Sequence, residues 1–176
     1  MSICDRFDEQ EWKLVRHVPV DAFISVAYAD GTPEQGELDA LFDVMLHAND
    51  IADPLLRATI DDLGQSNALL EELQEHASWT KEKVDGWAQS TKRLLKGKLS
   101  PAEYQSFVCS VELVAEKIAR GSGKGPGTTS PEAGVLKIYI QIWEVDPRAL
   151  RELPGLDVPH PWLTGSLKNP PNRAMG

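Results

Sequence analysis

The chain predicts an all-α fold, a bundle built from a duplicated helix-loop-helix unit with an extended Pro-rich C-terminal tail. Three observations carry that expectation. The stretch Thr32-Pro33-Glu34-Gln35-Gly36-Glu37-Leu38 is echoed by Ser130-Pro131-Glu132-Ala133-Gly134-Val135-Leu136, with hydroxyl, Pro, Glu, Gly and Leu at matching offsets, as an internal repeat requires. Pro33, Pro54, Pro101, Pro131 and Pro147 each follow a Thr, Asp or Ser; proline at the first helical position sacrifices no hydrogen bond, and the residue before it can cap free amides. Apolar residues recur at three and four positions through most of the chain, which is the period of an amphipathic helix.

Taken in order, Val20, Phe23, Ile24 and Ala27 mark a helix over Val18 to Tyr28. The Asp30-Gly31 turn then folds it into a hairpin with the next helix, where Leu38, Leu41, Phe42, Met45 and Leu46 form one stripe. Thr32 with Gln35, and Ser100 with Glu103, have the spacing of a capping box. Asp53 to Leu63 reads as a short helix and Asn67 to about Leu95 as a long or broken one, with Gly64 and Gly86 as interruptions. After Ser100, the positions Tyr104, Phe107, Val108, Val111, Ala115 and Ile118 repeat the stripe of the first helix.

Val135 to Val145 alternates apolar and polar residues and is rich in β-branched side chains, the local signature of a strand. An isolated strand would leave its backbone groups without partners, and the repeat aligns this segment with Glu37 to Met45. The expectation is therefore a helix, buried on most sides at the centre of the bundle. The repeats run over about 18–48 and 104–145 of a single domain, 1–153; the tail, 154–176, holds Pro154, Pro159, Pro161, Pro170 and Pro171 and cannot continue a helix. Its Leu156, Val158, Trp162 and Leu163 could pack on the bundle or grip another protein or a second copy of the chain.

With 176 residues, 41% of them hydrophobic, the chain can bury one sizeable core. A formal net charge of -9 argues against a nucleic-acid backbone or an anionic membrane surface as partner. The basic group Lys92, Arg93, Lys96 and Lys98 reads as a helix C-terminus complementing the dipole. Cys4 and Cys109 lie far apart, outside any CxxC spacing, and a reduced cytoplasmic setting fits them. The acidic N-terminus does not read as a secretory signal, and no apolar run has the length of a membrane span.

Glu37 lies six residues after Gly31, which copies the second half of an EF-hand loop, but Val26 and Tyr28 stand where earlier oxygen ligands belong. What remains is an acidic cluster of Asp30, Glu34 and Glu37, with Asp21 and Asp39 near in sequence. A hard divalent cation such as calcium, magnesium or manganese could use two or three of these with water. The dipole of the following helix favours the same carboxylates without any metal. Glu112 and Glu116, four apart, either bridge to this loop or form a solvated face with Lys117.

The glycine-rich stretch 121–129 fails as a phosphate loop, because Ile118 and Gly125 occupy positions that need Gly and Ser or Thr. It reads as a linker, with Lys124 the residue to test by charge reversal. His17, His47, His76 and His160 show no zinc-site spacing among themselves and read as surface or boundary residues. The five tryptophans read as core or strap anchors. Neither a Gly-x-Ser-x-Gly elbow nor a Cys-His pairing points to nucleophilic catalysis.

The run Ala27-Tyr28-Ala29-Asp30-Gly31 through Glu37 resembles the TerB-like family associated with tellurite resistance. Val114-Ala115-Glu116-Lys117-Ile118-Ala119, followed by Ser130-Pro131-Glu132, looks like that family's second repeat with a glycine-rich insertion and without its Asp-Gly; the resemblance covers roughly residues 12–150. It implies about seven helices, a cytoplasmic stress-associated protein, no catalytic activity, and a metal site at acidic residues of the two loops. By position, Asp30 and Glu37 match the first motif and Glu116 the second.

Two functions follow. One is a non-enzymatic, stress-associated module binding a divalent cation through Asp30, Glu34, Glu37 and Glu116. The other is a helical interaction or oligomerisation adaptor whose carboxylates only cap helices. An enzyme would instead require Glu112, Glu116, Tyr28 or Tyr139 to converge in a polar pocket.

Overall fold

Two helices lie at the centre because their buried positions run consecutively, and consecutive positions point all round a helix. The computed structural model describes residues 2–65, 68–121 and 131–152. In it α1 (Glu9–Ala27) buries His17, Val18, Pro19 and Val20 in succession. The other central helix, α6 (Pro101–Gly121), buries every residue from Phe107 to Glu112. Around this pair stand α2 (Gln35–Leu46), α3 (Pro54–Leu63), α4 (Ala68–Ala77), α5 (Lys81–Lys98), α7 (Pro131–Trp143) and α8 (Pro147–Glu152). Short 3-10 turns cover Ile3–Arg6 and Ala48–Asp50. Among the described residues there is no strand, so the all-α expectation holds, with eight α-helices.

The segment at Val135 is helical as expected, but it is not central. It buries Ala133, Leu136, Tyr139 and Trp143, one stripe at spacings of three and four, while Ile138 remains 56% exposed. A helix averages its alternating residues over all directions, so the strand-like sequence leaves apolar side chains on the outside. Its last carbonyls are satisfied by neighbours. Tyr104 donates its hydroxyl to the Trp143 carbonyl at 2.6 Å, Lys92 donates to the Ile142 carbonyl, and Gln105 donates to that of Glu144. Glu144 itself adopts a left-handed φ of 52°, which these bonds and its ion pairs with Lys92 and Lys96 hold in place.

Asp53, Ser100 and Asp146 cap the helices they were expected to start, Ser130 lies outside the described residues, and the start at Thr32 is corrected. Asp53 caps α3 through the Leu56 amide at 2.8 Å, and Ser100 and Glu103 form a reciprocal box at α6. At α2 the start is not Thr32: Glu34 is the cap, and its amide donates to the Glu37 carboxylate at 2.8 Å. The first helix begins at Glu9 rather than Val18, nucleated by an Asp8–Glu11 box, and passes through Pro19 without ending. The break between α4 and α5 falls at residues 78–80, where Thr80 caps α5; Gly86 lies inside α5 and interrupts nothing.

α2 does not form the expected hairpin with α1; it lies chiefly along α6. Small residues allow the approach, since a Cβ on Gly121 would sit 2.3 Å from the Gly36 carbonyl oxygen. Lys117 pairs with Asp43 at 2.6 Å further along, so the two helices run antiparallel. In that register Phe42 and Leu46, expected inside, are 56% and 81% exposed, and Glu37 and Val44 are buried instead. The proline-rich tail and most of the glycine-rich loop lie outside the described residues.

Candidate functional site

The first acidic loop gathers more charge than its own sequence holds. Gly31, at a φ of 112°, turns the chain between α1 and α2, a conformation that a residue with a Cβ adopts at a cost. Asp30 is exposed, Glu34 half-buried and Glu37 buried. Burial raises the pKa of Glu37; the Glu34 amide lowers it in part, and the charges of Asp30, Glu132 and Glu34 raise it again. Glu132 belongs to the second copy of the repeated phrase and to the first turn of α7. The two copies of the phrase therefore meet at one end of the molecule, their carboxylates within electrostatic reach of each other.

Glu116 is placed elsewhere. The α2–α6 register sets it beyond Gly121, near the level of Ala40 to Asp43, and its Oε1 accepts from Arg120 Nε at 3.0 Å. Among the described residues no three of His, Cys, Asp and Glu are grouped so as to hold a metal ion. Asp21, near this loop in sequence, faces the core instead.

Glu112 and Glu116 do not form a solvated face with Lys117; both are buried. Both Glu112 oxygens lack a hydrogen-bond partner. Burial, and then the charge of Glu116, push its pKa well above the usual carboxylate value. The buried Tyr139 hydroxyl also lacks a partner. Its pKa is raised by burial and then by Tyr104, Glu112, Asp21 and Cys109, which places these groups about one another between α1, α6 and α7. Tyr28 is 56% exposed and takes no part.

A second polar assembly crosses from α4 to α1. Arg16 donates to Glu72 Oε1 from Nε at 3.0 Å and to Asp62 Oδ2 from Nη1 at 2.8 Å. Trp12 adds its indole N–H to the same Asp62 oxygen at 3.0 Å. Glu72 Oε2 lies 2.6 Å from His17 Nδ1, His17 Nε2 lies 3.0 Å from His76 Nδ1, and His76 Nε2 stands 3.8 Å from Asp21 Oδ1. The direction of these bonds follows from the chemistry. A carboxylate accepts, so His17 donates from Nδ1 to Glu72, and its Nε2 shares one proton with His76 Nδ1.

Burial would raise the pKa of Glu72, yet bonds from His17 and Arg16 hold it below the usual value. Burial and the charge of His17 lower that of His76. His17 is walled by Trp79, stacked at 4.3 Å between ring centroids, and by Trp87, edge-on at 5.0 Å. The expectation that His17 lies at the surface is thus corrected: it is 2% exposed. The missed signal was spacing of a mixed kind. His17 with Asp21, and Glu72 with His76, each stand four apart, so each helix offers a carboxylate and an imidazole on one face.

These features define a class, an all-α bundle with ionisable groups built into its core. No protein-family model, no curated protein and no solved structure matches this chain. Among the described residues no helix is long and apolar enough to cross a membrane.

Proposed function

We propose that the protein is a non-catalytic, TerB-like stress-associated module that takes up a divalent cation where its two loops meet. Asp30, Glu34 and Glu37 would supply oxygen from the first loop and Glu132 from the second, with water completing the shell of calcium, magnesium or manganese. One observation carries this reading: Glu37 is buried and its proton affinity is raised by burial and by the like charges of Asp30, Glu132 and Glu34. Carboxylates held together repel until a proton or a cation intervenes. A cation would have to draw the side chains inward from their present separation. Glu116 is left to Arg120 and orders the end of α6 rather than ligating.

On this reading α1–α2 and α6–α7 are the two copies of a duplicated unit, and the proline-rich tail serves contacts with another protein or a second copy. Both cysteines are free thiols, which suits a reduced cytoplasmic compartment.

The test is calorimetric titration and thermal melting with calcium, magnesium, manganese and zinc. Wild type is compared with Asp30→Asn/Glu37→Gln. Saturable heat and a raised midpoint, both lost in the double variant, are expected; unchanged heats and melting in all four metals overturn the proposal. The adaptor reading draws on Phe42 and Leu46, exposed one turn apart on α2. It is favoured if the metals have no effect and Phe42→Ser/Leu46→Ser shifts the mass in solution measured by light scattering.

A further inference from the structure

We propose that the cleft between α1, α5 and α7 binds a small apolar amine, with the ligand's ammonium group paired to the Asp21 carboxylate. The site is separate from the acidic loops and stands whether or not they bind a cation.

The cleft has a volume of about 230 Å³, below the roughly 300–1,000 Å³ of pockets that take drug-sized molecules, so its occupant is small. Its walls are mainly hydrocarbon, from Val26, Ala88, Leu136 and Ile142, with Tyr139 and Trp143 as aromatic surface on which a cation is also favoured. Asp21 and Asp85 are the acids of this wall; Asp85 is engaged by Lys81, and the Asp21 side chain is 15% exposed. Among the described residues no hydrogen bond reaches its carboxylate. His76 Nε2, the nearest candidate, stands off at 3.8 Å, beyond hydrogen-bond length. His76 is tethered the other way, through its Nδ1 to His17 at 3.0 Å, and would have to break that bond to swing toward Asp21.

The fold thus holds an acid in apolar surroundings and keeps its potential partner at a distance. A buried carboxylate without a hydrogen bond is costly, and an entering ammonium group supplies one at closer range than His76. The rim reinforces the choice of sign. Lys81 is engaged by Asp85 at 2.5 Å, so a ligand carboxylate would have to displace Asp85 and then lie near Asp21. An alcohol of the same shape fits the walls but brings no charge.

The experiment is a titration of the full chain at pH 7.5 with hexylamine, 1-hexanol and hexanoate, followed by two-dimensional amide NMR. Hexylamine is expected to shift the amides of Ala22, Ser25, Ala88 and Tyr139 saturably and to bind about tenfold or more tighter than hexanol, the difference a charge-assisted bond makes. Hexanoate should be weakest. Asp21→Asn should bring the amine down to the alcohol's affinity, and Ser25→Phe, which fills the cleft and keeps the acid, should abolish both. Equal affinity of wild type for amine and alcohol overturns the proposal, as does the absence of saturable shifts. Shifts confined to the acidic loop at residues 30–37 also overturn it, since they would mark unspecific attraction of the amine to surface carboxylates.

Discussion

Glu72 on α4 and Glu112 on α6 are the same residue, each almost wholly withdrawn from water, and their acidities move in opposite directions. Around Glu72 the chain supplies Arg16, His17 and, through Asp62, a further hydrogen bond from Trp12. Around Glu112 it supplies the carboxylate of Glu116 one turn away and no hydrogen bond to either oxygen. Burial penalises both carboxylates; the difference lies in whether partners outweigh it. The first region is therefore an ion-pair network tying α1 to α4, and the second a carboxyl without hydrogen bonds in the packed centre.

The largest test of that contrast removes a partner. Arg16→Ala should leave Glu72 buried beside His17 alone and cost about 3–5 kcal/mol in urea unfolding at pH 7, the usual penalty for breaking a buried pair. Adding Glu72→Leu to it should recover much of the loss. A cost for Arg16→Ala no larger than that of an exposed lysine would show the network to be ornamental.

Asp21 sharpens the contrast through pH. Its pKa is raised to about 6, chiefly by burial and against the lowering influence of His17. An acid with a raised folded pKa binds more protons folded than unfolded. Its contribution to stability is therefore complete below the unfolded value of 3.8 and disappears as pH rises through about 6. Glu72, with a lowered pKa, has the opposite sign: its stabilisation is present above 4.5 and is lost as pH falls below that value. Asp21→Asn should raise stability relative to wild type by about 2–3 kcal/mol at pH 8 and by little at pH 4, from the rule that one pKa unit is worth about 1.4 kcal/mol. Parallel stability curves for the two proteins from pH 4 to 8 would contradict this.

The smallest effect is expected at Glu112. Glu112→Leu removes two unpartnered oxygens and keeps the volume, so its thermal midpoint should rise, by about 1–2 kcal/mol equivalent. A fall in midpoint would mean that Glu112 has a partner in solution, and the two regions would then be alike.

Much of the scaffold was legible because it depends on neighbours in sequence. Asp53 before Pro54 and Ser100 with Glu103 can cap only the helices they precede, and the structure uses them so. The helical reading of Val135 to Val145 rested on what a lone strand would lack, and α7 bears it out. The start of α2 was misread because two capping boxes overlap there, Thr32 with Gln35 and Glu34 with Glu37. Thr32 is spaced for a cap, but the carboxylate of Glu37 reaches the amide of Glu34 and wins. At the candidate sites, Asp30, Glu34 and Glu37 could be named from their spacing alone. The approach of Glu132 could not, because it depends on where α1 and α6 hold α7.

Composition and local spacing were enough to establish an all-helical chain, most helix starts, and the carboxylates at the first loop, since hydrogen bonds across three or four residues set these features. Packing settled the rest. It made α1 and α6 the central pair, turned Phe42 and Leu46 outward, joined His17 to Glu72 across 55 residues, and left Glu112 without a partner. Those outcomes depend on which helix faces meet, and a face that reads as apolar or charged in sequence carries no record of its neighbour.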